Sequence, residues 1–202
     1  LKNIFKRKKI NIIDIGASDG ISALFFIRNL NTNNIYCYEP QKKFFDKLKD
    51  LKKKYNNLII FNFGLGDKAL NKSVFYPYIK ILNLKFVLYA YSFPVKKELE
   101  SQIEMDFLIK PKIYSENIKI KKFVLPKDKI HLIKIDTNGS EFNIINSILP
   151  VLKRDKPVLI IENNNIDKIF KKLKFLKYKK YCVTNNNLKK HTNQKNVNII
   201  FK

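Results

Sequence analysis

The stretch INIIDIGASDG, residues 10–20, decides the fold. Ile10 to Ile15 is a β-branched run of a length suited to a buried strand, and it feeds a loop carrying Gly16 and Gly20. Ser22 to Leu30 reads as the helix that follows, with Ser18 or Asp19 as its N-cap. Outward from this unit, Asn34 to Glu39 is a second strand, stopped by Pro40. Lys42 to Lys54 is a helix whose Phe44, Phe45, Leu48 and Leu51 share one face, with lysines on the other. Leu58 to Phe63 is a third strand, ended at Gly64 and Gly66. The order β-α-β-α-β implies a parallel sheet with right-handed crossovers.

The middle of the chain is less regular. Ser73 to Tyr78 reads as an extra strand, and Ile79 to Pro94 is apolar and aromatic without clean periodicity. Leu99, Ile103 and Phe107 recur at helical spacing until Pro111, and Asn117 to Leu125 reads as extended. The segment 75–123 is therefore expected to be an insert of irregular structure. Regularity returns with a strand at His131 to Asp136, a helix from Ser140 to Leu152 interrupted near Pro150, a strand at Pro157 to Glu162 and a helix from Asp167 to Phe175. Tyr178 to Val183 and Val197 to Phe201 close the chain as an antiparallel pair joined by an Asn- and Lys-rich loop. The expectation is one α/β domain over residues 1–202: Rossmann-like, doubly wound, with a mostly parallel seven-strand sheet and an antiparallel last strand.

The 202 residues hold 41 Lys plus Arg against 17 Asp plus Glu, a net charge of +24. Such a field invites a nucleic-acid or anionic-membrane partner. Only Arg7, Arg28 and Arg154 among these cations are arginines, the residue suited to bidentate phosphate and base recognition. Lys, Asn, Ile, Phe and Tyr are what A+T-rich codons encode, so codon bias explains much of the excess, and nucleic acid is not the expected partner. Cys37 and Cys182 cannot build a disulfide scaffold, which points to a reducing, cytoplasmic compartment. No apolar run reaches the ~18–20 residues of a membrane span; the longest, Ile81 to Val95, is broken by Lys85. The first residues meet Asp14 before any signal-like core forms, and the absence of an initiator Met suggests a missing upstream segment.

In open α/β sheets ligands sit at the carboxyl ends of strands, near the point where the strand order reverses. The acids of this lysine-rich chain cluster at such ends: Asp14, Glu39, Asp67, Asp136 and Glu162. Residues 14–20 are not the dinucleotide fingerprint, because Ser18 stands where its second glycine belongs. A carboxylate before the glycine loop repels a pyrophosphate and attracts an ammonium group. Gly16 and Gly20 permit positive φ and close approach of a ligand. Glu39, 19 residues after Gly20, stands where a carboxylate accepts from ribose hydroxyls. A cationic nucleoside with a free amino-acid moiety, S-adenosylmethionine, satisfies both; the plainer reading is a tight turn beside solvated acids.

Four segments carry a resemblance to a known family: DIGASDG from Asp14, YEP from Tyr38, KIDTNGSE from Lys134 and PVLIIE from Pro157. The chain resembles the FkbM-type methyltransferases of the Rossmann-like, S-adenosylmethionine-dependent class, over roughly Ile12 to Glu162. The resemblance implies that Asp14 lies behind the glycine loop and reaches toward the methionine amine. Gly16, Ala17, Ser18 and Gly20 would line the methionine moiety, and Glu39, with Pro40 beside it, would hold the ribose. Leu65, Gly66 and Asp67 would border the adenine. Asn138 departs from the longer acidic or amide side chain the family usually carries there.

Lys134 and Asp136 alternate with Ile133 and Ile135, so they share one face of their strand. Burying that pair is costly unless its members satisfy each other or line a cleft. Asp136 is the candidate base for an acceptor hydroxyl, and Lys134 either orients it or acts as base itself if burial depresses its pKa. An internal Lys–Asp bridge that fixes the loop is the structural alternative. Glu162 faces the same cleft as a contact for acceptor or metal, or is a solvated strand end, and Glu141 suits the first turn of the next helix. No N/D-P-P-Y/F motif of amino-directed enzymes is present, and Cys37 and Cys182 lie away from the loops where a cytosine-attacking thiolate belongs. His131 and His191 make no metal set, so a divalent metal is not favoured. The expected reaction is O-methylation of a sugar, glycan or secondary-metabolite hydroxyl. The alternatives are an RNA methyltransferase using the lysine-rich surface and a non-catalytic binding module.

Overall fold

A computed structural model of the chain describes all residues except 83, 90, 94, 107–110, 163–165, 185–186 and 191–197. In chain order the elements are α1 (Lys2–Phe5), β1 (Ile10–Ile15), α2 (Ile21–Asn29), β2 (Thr32–Tyr38), α3 (Lys42–Lys54), β3 (Leu58–Phe61) and β4 (Gly64–Gly66). There follow β5 (Leu70–Ile81), β6 (Leu84–Val87), α4 (Lys96–Asp106), β7 (Lys112–Lys122), β8 (Leu132–Ile135), α5 (Glu141–Ser147) and α6 (Leu149–Asp155). The last are β9 (Val158–Glu162), α7 (Ile166–Lys174), β10 (Lys180–Thr184), β11 (Asn187–Lys190) and β12 (Asn198–Phe201).

The main sheet runs β11-β10-β12-β9-β8-β1-β2-β3. It is parallel from β9 to β3 and antiparallel where β12 joins β9 and β10 joins β12. The seven expected strands are all there, and β11, inside the loop read as Asn- and Lys-rich, adds an eighth at the edge. Every residue of β1 is buried, as a central parallel strand covered on both faces requires. Ile13, Ile15, Ile133 and Ile135 pack against α5, α6 and α7 through Ile144, Leu152 and Ile169. On the opposite face Ile10, Ile12 and Leu132 meet α2 and α3 through Ala23, Phe26 and Leu48. The sheet is thus doubly wound, and its order reverses between β1 and β8.

Three local expectations are corrected. The 75–123 insert is not irregular: β5 and β7 form a long antiparallel ladder within a second sheet ordered β4-β7-β5-β6. Gly64 to Gly66 does not end the third strand but opens this second sheet, pairing parallel with β7. The N-cap of α2 is Gly20, in the left-handed region, rather than Ser18 or Asp19. Phe107, counted as part of the helical repeat that gives α4, lies outside the described residues. Among the described residues no helix is long and apolar enough to cross a membrane.

The two glycines of the first loop are required by packing. A Cβ on Gly16 would stand 1.9 Å from the Asp136 carbonyl oxygen, and one on Gly20 would stand 2.7 Å from a Leu51 methyl. Gly139, also at positive φ, has open space around it. Gly16→Ala is therefore expected to cost about 3 kcal/mol or more, since backbone must move, and Gly139→Ala about 1–2 kcal/mol from its φ alone. Urea unfolding of the two variants checks the difference; equal costs would mean that β1 and β8 separate easily.

Candidate active site

The first loop and the end of β8 meet at the reversal point. Gly16 N–H and Ala17 N–H both donate to the Tyr38 carbonyl, and Asp136 N–H donates to the Ile15 carbonyl, so three strand ends are tied together. Because side chains alternate along a strand, Asp14 and Lys134 fall side by side on the face covered by α2. Lys134 Nζ lies 3.7 Å from Asp14 Oδ1 and 3.1 Å from Asp136 Oδ2. Asp14 is fully buried and also accepts from the Ser22 hydroxyl. Burial raises the Asp14 pKa against the opposing pull of Lys134 and Ser22. Burial alone would lower the Lys134 pKa, but the Asp14 and Asp136 carboxylates outweigh it and raise it. Lys134 therefore stays a cation and is not a base, which removes that reading; it holds Asp136.

Asp136 is 41% exposed at the strand end and interacts with Glu162 at the end of β9. Burial, together with the neighbouring Asp136 and Glu141 carboxylates, raises the Glu162 pKa to about 7. Glu162 is therefore held by burial and by its hydrogen bond to Asp136 and is not a solvated strand end. The loop between them and α5 is organised by Glu141. Its buried carboxylate accepts from Thr137 N–H, Thr137 Oγ1 and Gly139 N–H at 3.0–3.1 Å. Asn138 has φ 51°, a region that Asn tolerates better than longer side chains, and its amide donates to Ser92 of the insert. This accounts for a short residue at that place.

Glu39, at the end of β2, is 3% exposed. Its two oxygens each accept a backbone N–H, from Ser18 at 2.9 Å and from Gln41 at 2.8 Å. Burial outweighs these bonds and raises its pKa to about 7. Glu39 borders a cavity of about 520 Å³ that runs from Tyr38, Pro40 and Leu65 past Gly16 and Ser18 to Asp136 and Asn138. The second sheet closes its outer side with Val74, Tyr89, Ile118 and Ile120. A second, more apolar cavity of about 440 Å³ lies beyond Gly16, among Ala17, Ile21, Phe25, Lys134 and Ile160, and Asp136 borders both.

Most of the expected site residues border these cavities, with five exceptions, one of them Glu162, which lies behind Asp136 rather than on either wall. Asp14 borders neither cavity, because Ser22 and Lys134 engage it behind the loop. Gly20 serves the contact of α2 with α3. Gly66 and Asp67 are also off the cavity wall: the chain turns into the second sheet there, leaving Gly66 under Ile120 and Asp67 exposed. Sequence reading missed Ser22, Tyr89 and Ser92, and it gave Glu141 a helix-end role rather than the loop. The Asn138-Gly139 dipeptide is the turn signal that marks this loop. Cys37 is buried, and burial raises its thiol pKa well above the ordinary value. His131 Nδ1 accepts from Asn11 N–H at the far end of the strands. Among the described residues no three His, Cys, Asp or Glu side chains gather as a metal site.

A family model described as the methyltransferase FkbM domain matches residues 14–181. The chain therefore belongs to the FkbM methyltransferase family. No curated protein matches the sequence. Among solved structures, the methyltransferase FkbM from Methylobacillus flagellatus KT superposes with a TM-score of 0.58 at 14% identity, covering 96% of this chain and 43% of that one. The chain thus spans less than half of that protein's length. An rRNA methylase from Streptococcus thermophilus gives a TM-score of 0.48 at 10% identity, over 96% of this chain and 84% of that one. A precorrin-6y C5,15-methyltransferase from Geobacter metallireducens GS-15 gives 0.47 at 11%, over 96% and 79%. At such identities the FkbM likeness is one of fold.

The raised pKa of Glu162 has a consequence for stability. An acid whose folded pKa is raised contributes stability that is complete below its unfolded value, near 4.5, and lost as pH rises through about 7. Glu162→Gln keeps a donor toward Asp136 without the charge. Its melting temperature relative to the parent should rise from about pH 4.5 to about pH 7 and level off above; a constant offset would show that Glu162 titrates as an ordinary carboxylate.

Proposed function

We propose that the chain is an S-adenosylmethionine-dependent O-methyltransferase acting on a hydroxyl of a sugar, glycan or secondary metabolite. The observation that carries the reading is the place of Asp136 at the junction of two cavities, one bordered by Glu39 and the other more apolar. The first suits a nucleoside: Glu39 is a buried carboxylate with no cation in its hydrogen bonds, a partner for vicinal hydroxyls. Tyr38, Pro40 and Leu65 supply apolar surface beside it. The second cavity would take the acceptor. The cofactor supplies a sulfonium methyl group as electrophile.

The protein's part is to position the acceptor and move its proton. Asp136 would receive the hydroxyl proton as the oxygen attacks, in its ionised form. Lys134, kept cationic at 3.1 Å, orients that carboxylate. The hydroxyl proton would thus end on Asp136, beside Glu162, as the oxygen–methyl bond forms and the sulfonium–methyl bond breaks. The Glu141-organised loop and the Val74, Tyr89 and Ile118 wall restrict water around the transfer. A cytoplasmic, small-molecule setting fits the two free buried cysteines.

Isothermal calorimetry with S-adenosylmethionine or its demethylated product tests the cofactor. Affinity should increase as pH rises through about 7, where Glu39 ionises. Glu39→Ala should weaken binding about tenfold to a hundredfold and flatten that dependence. The absence of binding by the parent would sink the proposal. With labelled cofactor and a hydroxyl-acceptor panel, Asp136→Asn should keep cofactor affinity and lose about 10²–10⁴ in transfer rate. Equal rates would take Asp136 out of the reaction.

A further inference from the structure

The second sheet carries a hairpin that neither the fold nor the site uses. β5 ends at Ile81 and β6 begins at Leu84, with Ile81 opposite Leu84, Lys80 opposite Lys85 and Ile79 opposite Phe86. Alternation puts Ile79, Ile81, Leu84 and Phe86 on one face and the two lysines on the other. At the tip the apolar side chains are bare: Leu82 is 93% exposed, Leu84 63%, Ile81 54% and Phe86 46%. Leu82 also sits at φ 48°, where hairpin connections favour Asn, Asp or Gly. A leucine there gains nothing from burial and accepts an unfavourable backbone conformation. Lys80 and Lys85, directly across the ladder, repel each other, and Lys112 follows on the same face.

We propose that the tip of the β5–β6 hairpin inserts into the interface of an anionic lipid bilayer. Two residues of strand separate Leu82 from the Lys80–Lys85 pair, about 7 Å at a strand's rise per residue. That matches the ~5–10 Å to which interfacial apolar side chains penetrate. Leu82, Ile81 and Leu84 would reach the acyl boundary while the lysines stand at the phosphates, which relieves their repulsion. Lys85 is braced for this by the Tyr114 and Tyr78 rings, 3.8 and 4.5 Å from its ammonium. The net charge of +24 adds a long-range attraction to the same surface. β6 is also a sheet edge, open to pairing with a second copy. A second copy, however, brings the same lysines against these, whereas anionic headgroups complement them.

The test is co-sedimentation of the chain with vesicles of phosphatidylcholine alone and with vesicles that also contain phosphatidylserine. Binding is expected to the mixed vesicles only and to fall with salt. Leu82→Glu should weaken it about tenfold or more without moving the melting temperature, since Leu82 touches no core. The chain contains no Trp, so Leu82→Trp places a single reporter whose emission should shift to the blue on mixed vesicles alone. Absence of binding overturns the proposal. So does binding that Leu82→Glu leaves unchanged with no blue shift, which is charge adsorption. A dimer in sedimentation velocity that Leu82→Glu dissociates, without vesicle binding, assigns the hairpin to a second copy instead.

Discussion

The site depends on one ammonium group held between two carboxylates. Lys134 is 15% exposed, Asp14 is fully buried, and Asp136 stands at the mouth of both cavities. Exposed ion pairs such as Lys49–Asp46 and Lys53–Asp50 are worth little, because water and salt screen them. Breaking a buried pair by removing one partner costs about 3–5 kcal/mol, because the other charge is stranded. Lys134 thus fixes two things at once. Through Asp14 and Ser22 it ties β1 to the start of α2, and through Asp136 it aims a carboxylate into the cleft.

That charge geometry requires the strand ends to be close, and the backbone provides it. Gly16 lies against the Asp136 carbonyl with no room for a side chain, so the loop after β1 and the loop after β8 form one surface. Glu141 then closes the second loop from below by accepting three hydrogen bonds from residues 137–139. Asn138 carries the connection outward to Ser92, so the insert is attached to the loop that holds Asp136. Phe44 of α3 and Tyr89 of the insert meet edge to face, and Lys43 lies over the Tyr89 ring. The second sheet is therefore held to the main one from both sides of the cavity it covers.

The main sheet was legible because buried parallel strands are short apolar runs, and INII, LIKI and VLII have little else to become. The second sheet was not. β5 mixes Lys72, Ser73 and Pro77 with aromatics, and its partner β7 lies some forty residues on, so no local pattern announces the pairing. That blindness carried into the site. Read as a strand end, Gly64 to Gly66 placed Asp67 at the cavity; as β4 the same glycines turn the chain away under Ile120, and only Gly64 and Leu65 remain on the wall. Acids at strand ends were found by position alone, but position could not say that Asp14 would be engaged from behind or that Lys134 would be held cationic. Those outcomes depend on which neighbours α2 and β9 bring.

The lysine excess and the raised acids belong to one argument. Some of the lysines cover aromatic surface: Lys121 lies over Phe63, and Lys168 over Phe142. Those cations are spent on the exterior. Among the described residues, what acts on Glu39 is burial, two backbone N–H groups and the carboxylates of Asp14 and Glu116, and no lysine. The Glu39 end of the cleft thus holds a buried carboxylate with only backbone donors, while the Asp136 end already carries Lys134 at 3.1 Å. Neutral hydroxyls can donate to such a carboxylate, whereas a phosphate beside it would be repelled. The proposed cofactor reading places a nucleoside's hydroxyls there, and it does so whichever hydroxyl the second cavity accepts.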